Sequence, residues 1–221
     1  MSSSEIRYQL GHALLLACRM VDLLAPACER IEIAGSIRRK QVTVGDVEIV
    51  LIPKDSTLKT CTDRFTPQPE LFDEAVPIPE TKHNWKLEPM FGHERIARIL
   101  RDEGYEFACN GPLLKKVFRT NAGPTFEIYL TTPEKWGVIY TVRTGSALFA
   151  KRLVTSKQDY GLCPSNLHVH EGRVWRDGSF VRDADGKKVW KSHGEALETP
   201  EEKDVFAVLG LAWVEPEERV K

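Results

Sequence analysis

Ile31 to Pro53 reads IEIAGSIRRKQVTVGDVEIVLIP. Ile31 and Ile33 alternate with Glu32 as in a half-buried strand, and the run stops at Gly35-Ser36. Ten residues after Ser36 a second apolar run opens with Asp46, Val47, Glu48 and Ile49. The pattern predicts a strand, a glycine turn, a helix-like segment and a second strand. Gly35 has no Cβ, so a backbone or a phosphate can come close, and Ser36 offers a hydroxyl and an N–H where a helix start would welcome an anion. Strand side chains point to alternate faces, so Asp46 and Glu48 share one face while Val47 and Ile49 share the other. Two neighbouring carboxylates repel each other unless a cation lies between them, and a hard divalent ion suits oxygen ligands. Arg38 and Arg39 add donors suited to phosphate oxygens. An Asp-x-Glu alone reads as an acidic strand turned to water. The Gly-Ser turn, the arginines and the spacing shift that reading towards a site.

Downstream elements follow from periodicity and breakers. Lys54 to Pro89 is rich in Thr, Pro and charge, and Pro67, Pro69, Pro77, Pro79 and Pro89 forbid long regular structure. His93, Ile96, Ala97, Ile99 and Leu100 suggest a helix to about Arg101, ended by Gly104. Tyr105 to Cys109, Lys116 to Arg119 and Thr125 to Thr131 read as strands, the last with Glu127 between Phe126 and Ile128. Before the opening stretch, Leu10, Leu14, Ala17, Val21 and Leu24 recur at helical spacing, with Ser4 as a cap and Pro26 as the stop.

Composition sets the bounds. A chain of 221 residues with 42% hydrophobic and 29% charged residues has the make-up of a water-soluble globular protein. No apolar run reads as long enough to span a bilayer, and MSSSEIRYQL lacks a signal-peptide layout, so a cytoplasmic location and no membrane partner are expected. Cys18, Cys28, Cys61, Cys109 and Cys163 are odd in number and form no CxxC, which argues for reduced thiols rather than a disulfide framework or a zinc site. Net charge is −1, so a polyanion would have to be met by local patches. These are Arg38-Arg39-Lys40, Lys115-Lys116 with Arg119, Lys151-Arg152 with Lys157, and Lys187-Lys188 with Lys191. His168 and His170 alternate on one strand without a third ligand at sensible spacing, and Trp175, Trp190 and Trp213 read as core anchors.

The Gly-Ser turn, the paired acid on a strand and one more acid on a later strand resemble the nucleotidyltransferase superfamily, and GSIRR followed by GDVEIVLI resembles the family X DNA polymerases. The likeness continues through Thr144-Gly145-Ser146, FAKRL, Tyr160-Gly161-Leu162, a hairpin-like stretch from Leu167 to Trp190 and DVFAVLGLAWVEPEERV. It implies an α+β fold with a nucleotidyltransferase palm, a mixed sheet with helices on one face, followed by a small α+β thumb. The implied division is an N-terminal helix over 1–29, a palm over 30–141 with a Pro-rich insertion at about 54–89, and a thumb over 142–221. This would be a minimal form without the modules that usually precede the palm.

The resemblance also implies chemistry: Asp46, Glu48 and Glu127 would be catalytic and would hold two Mg²⁺ or Mn²⁺ ions. Gly35, Ser36, Arg39, Gly45, Thr144, Gly145 and Ser146 would bind a deoxynucleoside triphosphate. Lys115, Lys116, Lys151 and Arg152 would bind DNA, as primer-template or as a gap, with the chain acting as a monomer. The chain departs from the family pattern in having Glu at two acid positions, Val142-Arg143 in place of an aromatic pair beside the sugar, and Ala150 and Val154 at thumb positions that often hold Asn and Arg. These departures leave open untemplated addition to a nucleic-acid end, and an inactive nucleic-acid-binding module, beside templated synthesis.

Overall fold

The computed structural model describes residues 6–54, 92–119, 123–177, 179–182, 185–186, 188–191 and 194–220. The Pro-rich insertion from 55 onward, and Ser4, lie outside the described residues.

The first half is a five-stranded sheet with β2 (Cys28–Ile33), β4 (Asp46–Pro53), β7 (Thr125–Leu130), β6 (Leu114–Phe118) and β5 (Glu106–Asn110) in that spatial order. β4 and β7 run parallel and every other pairing is antiparallel, so the sheet is mixed. On one face Val47, Ile49 and Leu51 of β4 and Phe126, Ile128 and Leu130 of β7 are buried against two helices, α1 (Leu10–Leu24) and α3 (Gly92–Asp102). Burying a branched aliphatic side chain of this size contributes roughly 1.5–3 kcal/mol, which makes this face the main cohesive layer. The same alternation that sends these residues inward sends Asp46, Glu48 and Glu127 to the opposite face, where each is only half-buried.

α1 differs in detail from the sequence expectation. It begins at Leu10, after a short strand β1 (Tyr8–Gln9) that pairs with β3 (Thr43–Val44). Its buried side is Ala13, Ala17, Met20 and Leu24, while Leu14 is 41% exposed. The small Ala13 and Ala17 let the helix lie close to the sheet, which rotates the stripe by about one residue. By length and mean hydropathy the stretch Leu10–Ala27 could cross a membrane, contrary to the expectation of no such run. Its Ala13, Ala17, Met20 and Leu24 instead pack in the sheet core.

The second half begins with α4 (Trp136–Thr144), which packs Trp136 and Tyr140 onto Val50, Ile52 and Tyr129 at the far end of the sheet's other face. α5 (Ala147–Val154) and α6 (Glu202–Val208) join α4 around Phe149, Leu153, Val205 and Phe206, with Leu167 of β8 (Leu167–His170) and Val174 of β9 (Arg173–Arg176) closing that core. β8 and β9 pair with β12 (Glu195–Leu197), and β10 (Ser179–Arg182) pairs with β11 (Lys188–Lys191) as a separate hairpin. Gly137 permits the close approach of α4 to the lead-in of α6, since a Cβ there would run into the backbone of Thr199 and Glu201. The architecture is a mixed-sheet α+β half followed by a smaller α+β half, as the sequence implied.

Candidate active site

Asp46 and Glu48 lie two apart on β4, and Glu48 stands directly opposite Glu127 across the parallel β4–β7 ladder. In-register partners on neighbouring strands project to the same side, so all three acids share one face. The loop after β2 brings up α2 (Gly35–Arg38), whose first residue has a φ of +60° and sits under the Glu48 side chain. A Cβ at Gly35 would collide with Glu48 Oε2, so only glycine allows this packing.

Burial, and then the neighbouring Asp46 charge, push the Glu48 carboxyl up to about 7, with Glu127 acting in the same direction and Arg39 and Arg143 opposing it. Glu127 behaves differently. Burial alone would raise its pKa, but Lys116 Nζ at 2.7 Å from Oε1 and the Tyr129 hydroxyl at 2.5 Å from Oε2 outweigh burial and hold it below the usual carboxylate range. Lys116 reaches it because it is the cross-strand partner of Glu127 on β6, and Tyr129 because it lies two residues on along β7.

Arg39 closes the site on the α2 side. It donates to the Thr144 carbonyl at 2.6 Å, its Nε is buried without a hydrogen-bond partner among the described residues, and burial lowers its pKa against the pull of Glu48 and Asp46. Ser36 is the second residue of α2 and Gly45 lies between β3 and β4, so both belong to the segment that turns the chain towards the acids. Thr144-Gly145-Ser146 joins α4 to α5, with Ser146 Oγ capping α5 by accepting from Phe149 N at 3.1 Å. The turn therefore has a structural task and also touches the site through Arg39.

Several expectations change here. Arg38, read with Arg39 as a phosphate donor, instead donates Nη1 and Nη2 to Glu202 at 2.9 and 2.6 Å and to Thr144 Oγ1 at 2.6 Å. Its guanidinium also lies over the Tyr140 ring, 4.0 Å from the centroid. Lys115 is 1% exposed and donates to the Gly111 carbonyl at 2.7 Å, so it does not belong to a DNA-facing patch. β6 starts at Leu114, and its alternation turns Lys115 to the helix-covered side and Lys116 to the acid side. Lys116 is engaged with Glu127, whereas Lys151 and Arg152 are exposed on the last turn of α5. Arg143, noted in the sequence only as a missing aromatic residue, enters the site with its guanidinium 3.8 Å from the Tyr129 ring centroid.

The donor set fits a hard divalent cation. Asp46 and Glu48 offer carboxylate oxygens whose mutual repulsion and burial a cation would relieve, and Glu127 stands in register beside them. Among the described residues no three acids, histidines or cysteines are already drawn together as a ligand group. Both Glu127 oxygens are engaged, one by Lys116 and one by Tyr129.

Residues 141–220 match the family model described as DNA polymerase beta thumb. Over 202 residues the chain is 28% identical to DNA polymerase lambda of Rattus norvegicus, an alignment that covers 89% of this chain and 29% of that polymerase. The chain thus spans less than a third of the length of the curated relative it matches. From within α4 to the C-terminal segment the chain thus resembles a polymerase beta thumb, and its wider likeness to a DNA polymerase, at 28% identity, extends across the sheet.

Proposed function

We propose that the protein is a nucleotidyltransferase of the DNA polymerase type, adding deoxynucleotides to a primer 3′ end or filling short gaps. The observation that carries this reading is the register of Glu48 with Glu127, which puts three carboxylates on one face beside Gly35. On this reading residues 30–141 form the palm, residues 142–221 the thumb, and the helix within 1–29 supports the palm.

Asp46, Glu48 and Glu127 would hold the divalent ions, Mg²⁺ or Mn²⁺. When bound, such ions neutralise charge building on the attacking and leaving oxygens of an in-line phosphoryl displacement. The chain's own groups do the positioning. The Ser36 hydroxyl and the start of α2 receive phosphate oxygens, and Gly35 and Gly45 leave room for them. Arg39 is fixed by the Thr144 carbonyl and keeps a buried Nε that has no hydrogen-bond partner among the described residues, a donor suited to the triphosphate. Tyr129 and Lys116 orient the Glu127 carboxylate, and the exposed Lys151 and Arg152 would meet the nucleic-acid backbone.

Incubation with a labelled primer, with and without template, with Mg²⁺ or Mn²⁺ and each nucleotide singly, tests the proposal. Template-directed incorporation is expected. Equal incorporation without template would replace it with terminal transfer, a reading favoured by Val154, an apolar side chain 38% exposed on α5 where the family often carries a polar contact. DNA binding with no incorporation under any condition would leave a binding module.

A further inference from the structure

Taking Asp46, Glu48 and Glu127 as the divalent-cation site proposed above, we infer that Lys116 and Arg143 are its built-in counter-cations and set how tightly it takes an ion. The Lys116 ammonium lies 2.7 Å from Glu127 Oε1, directly across the β6–β7 ladder, and the Tyr129 hydroxyl takes Oε2 at 2.5 Å. Arg143 comes to the same place from α4, stacked 3.8 Å from the Tyr129 ring centroid, with its Nε buried and without a hydrogen-bond partner among the described residues. Its charge acts on both Glu48 and Glu127. The acid face therefore arrives with positive charge already tethered to it from β6 and from α4.

A divalent ion that takes Glu127 as a ligand has to share or displace what that carboxylate already holds, and it enters against like charge. Lys116 can yield, because its side chain is 42% exposed and can swing to water, whereas Glu127 is only 17% exposed and stays. The sign of the effect separates this role from simple bracing. If Lys116 only braced Glu127, its loss would loosen a ligand and weaken ion binding; as a counter-cation, its loss removes a competitor and tightens it.

The test is a Mn²⁺ titration of the whole chain, following the electron paramagnetic resonance signal of unbound ion, for the parent and for Lys116→Met, Arg143→Met and Lys116→Arg. Methionine keeps much of the stem packing and removes the charge. Each Met variant is expected to bind Mn²⁺ roughly 5- to 20-fold more tightly, and Lys116→Arg to stay within about twofold of the parent. In chelator both Met variants should melt below the parent, with the deficit recovered at saturating Mn²⁺. Should Arg143→Met fail to fold, Lys116→Met at its partly exposed position decides the question. A parent that binds Mn²⁺ together with Met variants that bind no more tightly would overturn this inference alone. Failure of the parent and all variants to bind would overturn the acid-site reading as well.

Discussion

Two clusters of acidic and basic side chains draw on adjacent residues at the end of α2, and they are built on opposite plans. Glu202 is met by opposite charge: Arg38 donates to both carboxylate oxygens, and the fully buried Arg219 donates Nη1 to Oε1 at 2.5 Å. That cluster ties the sheet half to α6 and the C-terminal segment. Around Glu48 like charges crowd, since Asp46 and Glu127 both disfavour its ionised form and burial disfavours it further. A buried charge met by its opposite is mortar, whereas a buried charge pressed against its own kind is retained at a cost to stability that a bound cation would remove. Adjacent residues of the same type, Arg38 and Arg39, are divided between the two plans.

The sharpest way to break this comparison is to remove one acid from each cluster. Asp46→Asn should lower nucleotide incorporation by roughly 10³-fold or more while the fold persists, measured by primer extension with circular dichroism as control. Asp46→Asn protein as active as the parent would leave the site without its mechanism. Glu202→Ala should do the reverse, destabilising the protein by about 3–5 kcal/mol in urea unfolding, because Arg38 and Arg219 are left buried without their acid.

Smaller changes sharpen the contrast. Gly35→Ala should cost about 1–3 kcal/mol and weaken nucleotide binding, because the methyl group enters a backbone with φ of +60° and pushes the Glu48 carboxylate aside. The same substitution type should change sign between clusters. In chelator Glu48→Gln should stabilise the protein by about 1–2 kcal/mol by removing a crowded buried charge, whereas Glu202→Gln should destabilise it. Equal signs in paired urea melts would dissolve the distinction. At the small end, Arg30 bonds both Glu201 oxygens at 2.6 and 2.9 Å and lies 4.1 Å from the Trp136 ring centroid, so Arg30→Ala should cost about 1 kcal/mol.

Alternation and spacing were enough to read the acid face. Val47 and Ile49 had to point one way and Asp46 and Glu48 the other, and Glu127 between Phe126 and Ile128 obeyed the same rule. The strands of the sheet, read singly, and the helix ended by Gly104 follow from equally local signals, whereas the later hairpin rests on the family likeness. The partners were not legible, because they are long-range. Nothing near Arg38 announces Glu202, 164 residues away, so a structural arginine looked like a ligand-binding one. Lys115 and Lys116 differ only in strand phase, and a start set two residues late on β6 hid which was buried. Tyr129 could have been found, since it shares a face with Glu127 two residues earlier. Arg143 could not, because its approach depends on how α4 lies over the sheet.

The central claim is that Asp46, Glu48 and Glu127 converge on divalent ions beside Gly35. Anomalous diffraction from crystals grown with Mn²⁺ and a non-hydrolysable nucleotide tests it directly. The expected result is manganese density bounded by the three carboxylates, with Glu127 turned from Lys116. Manganese found elsewhere, or no density there at saturating ion, would contradict it.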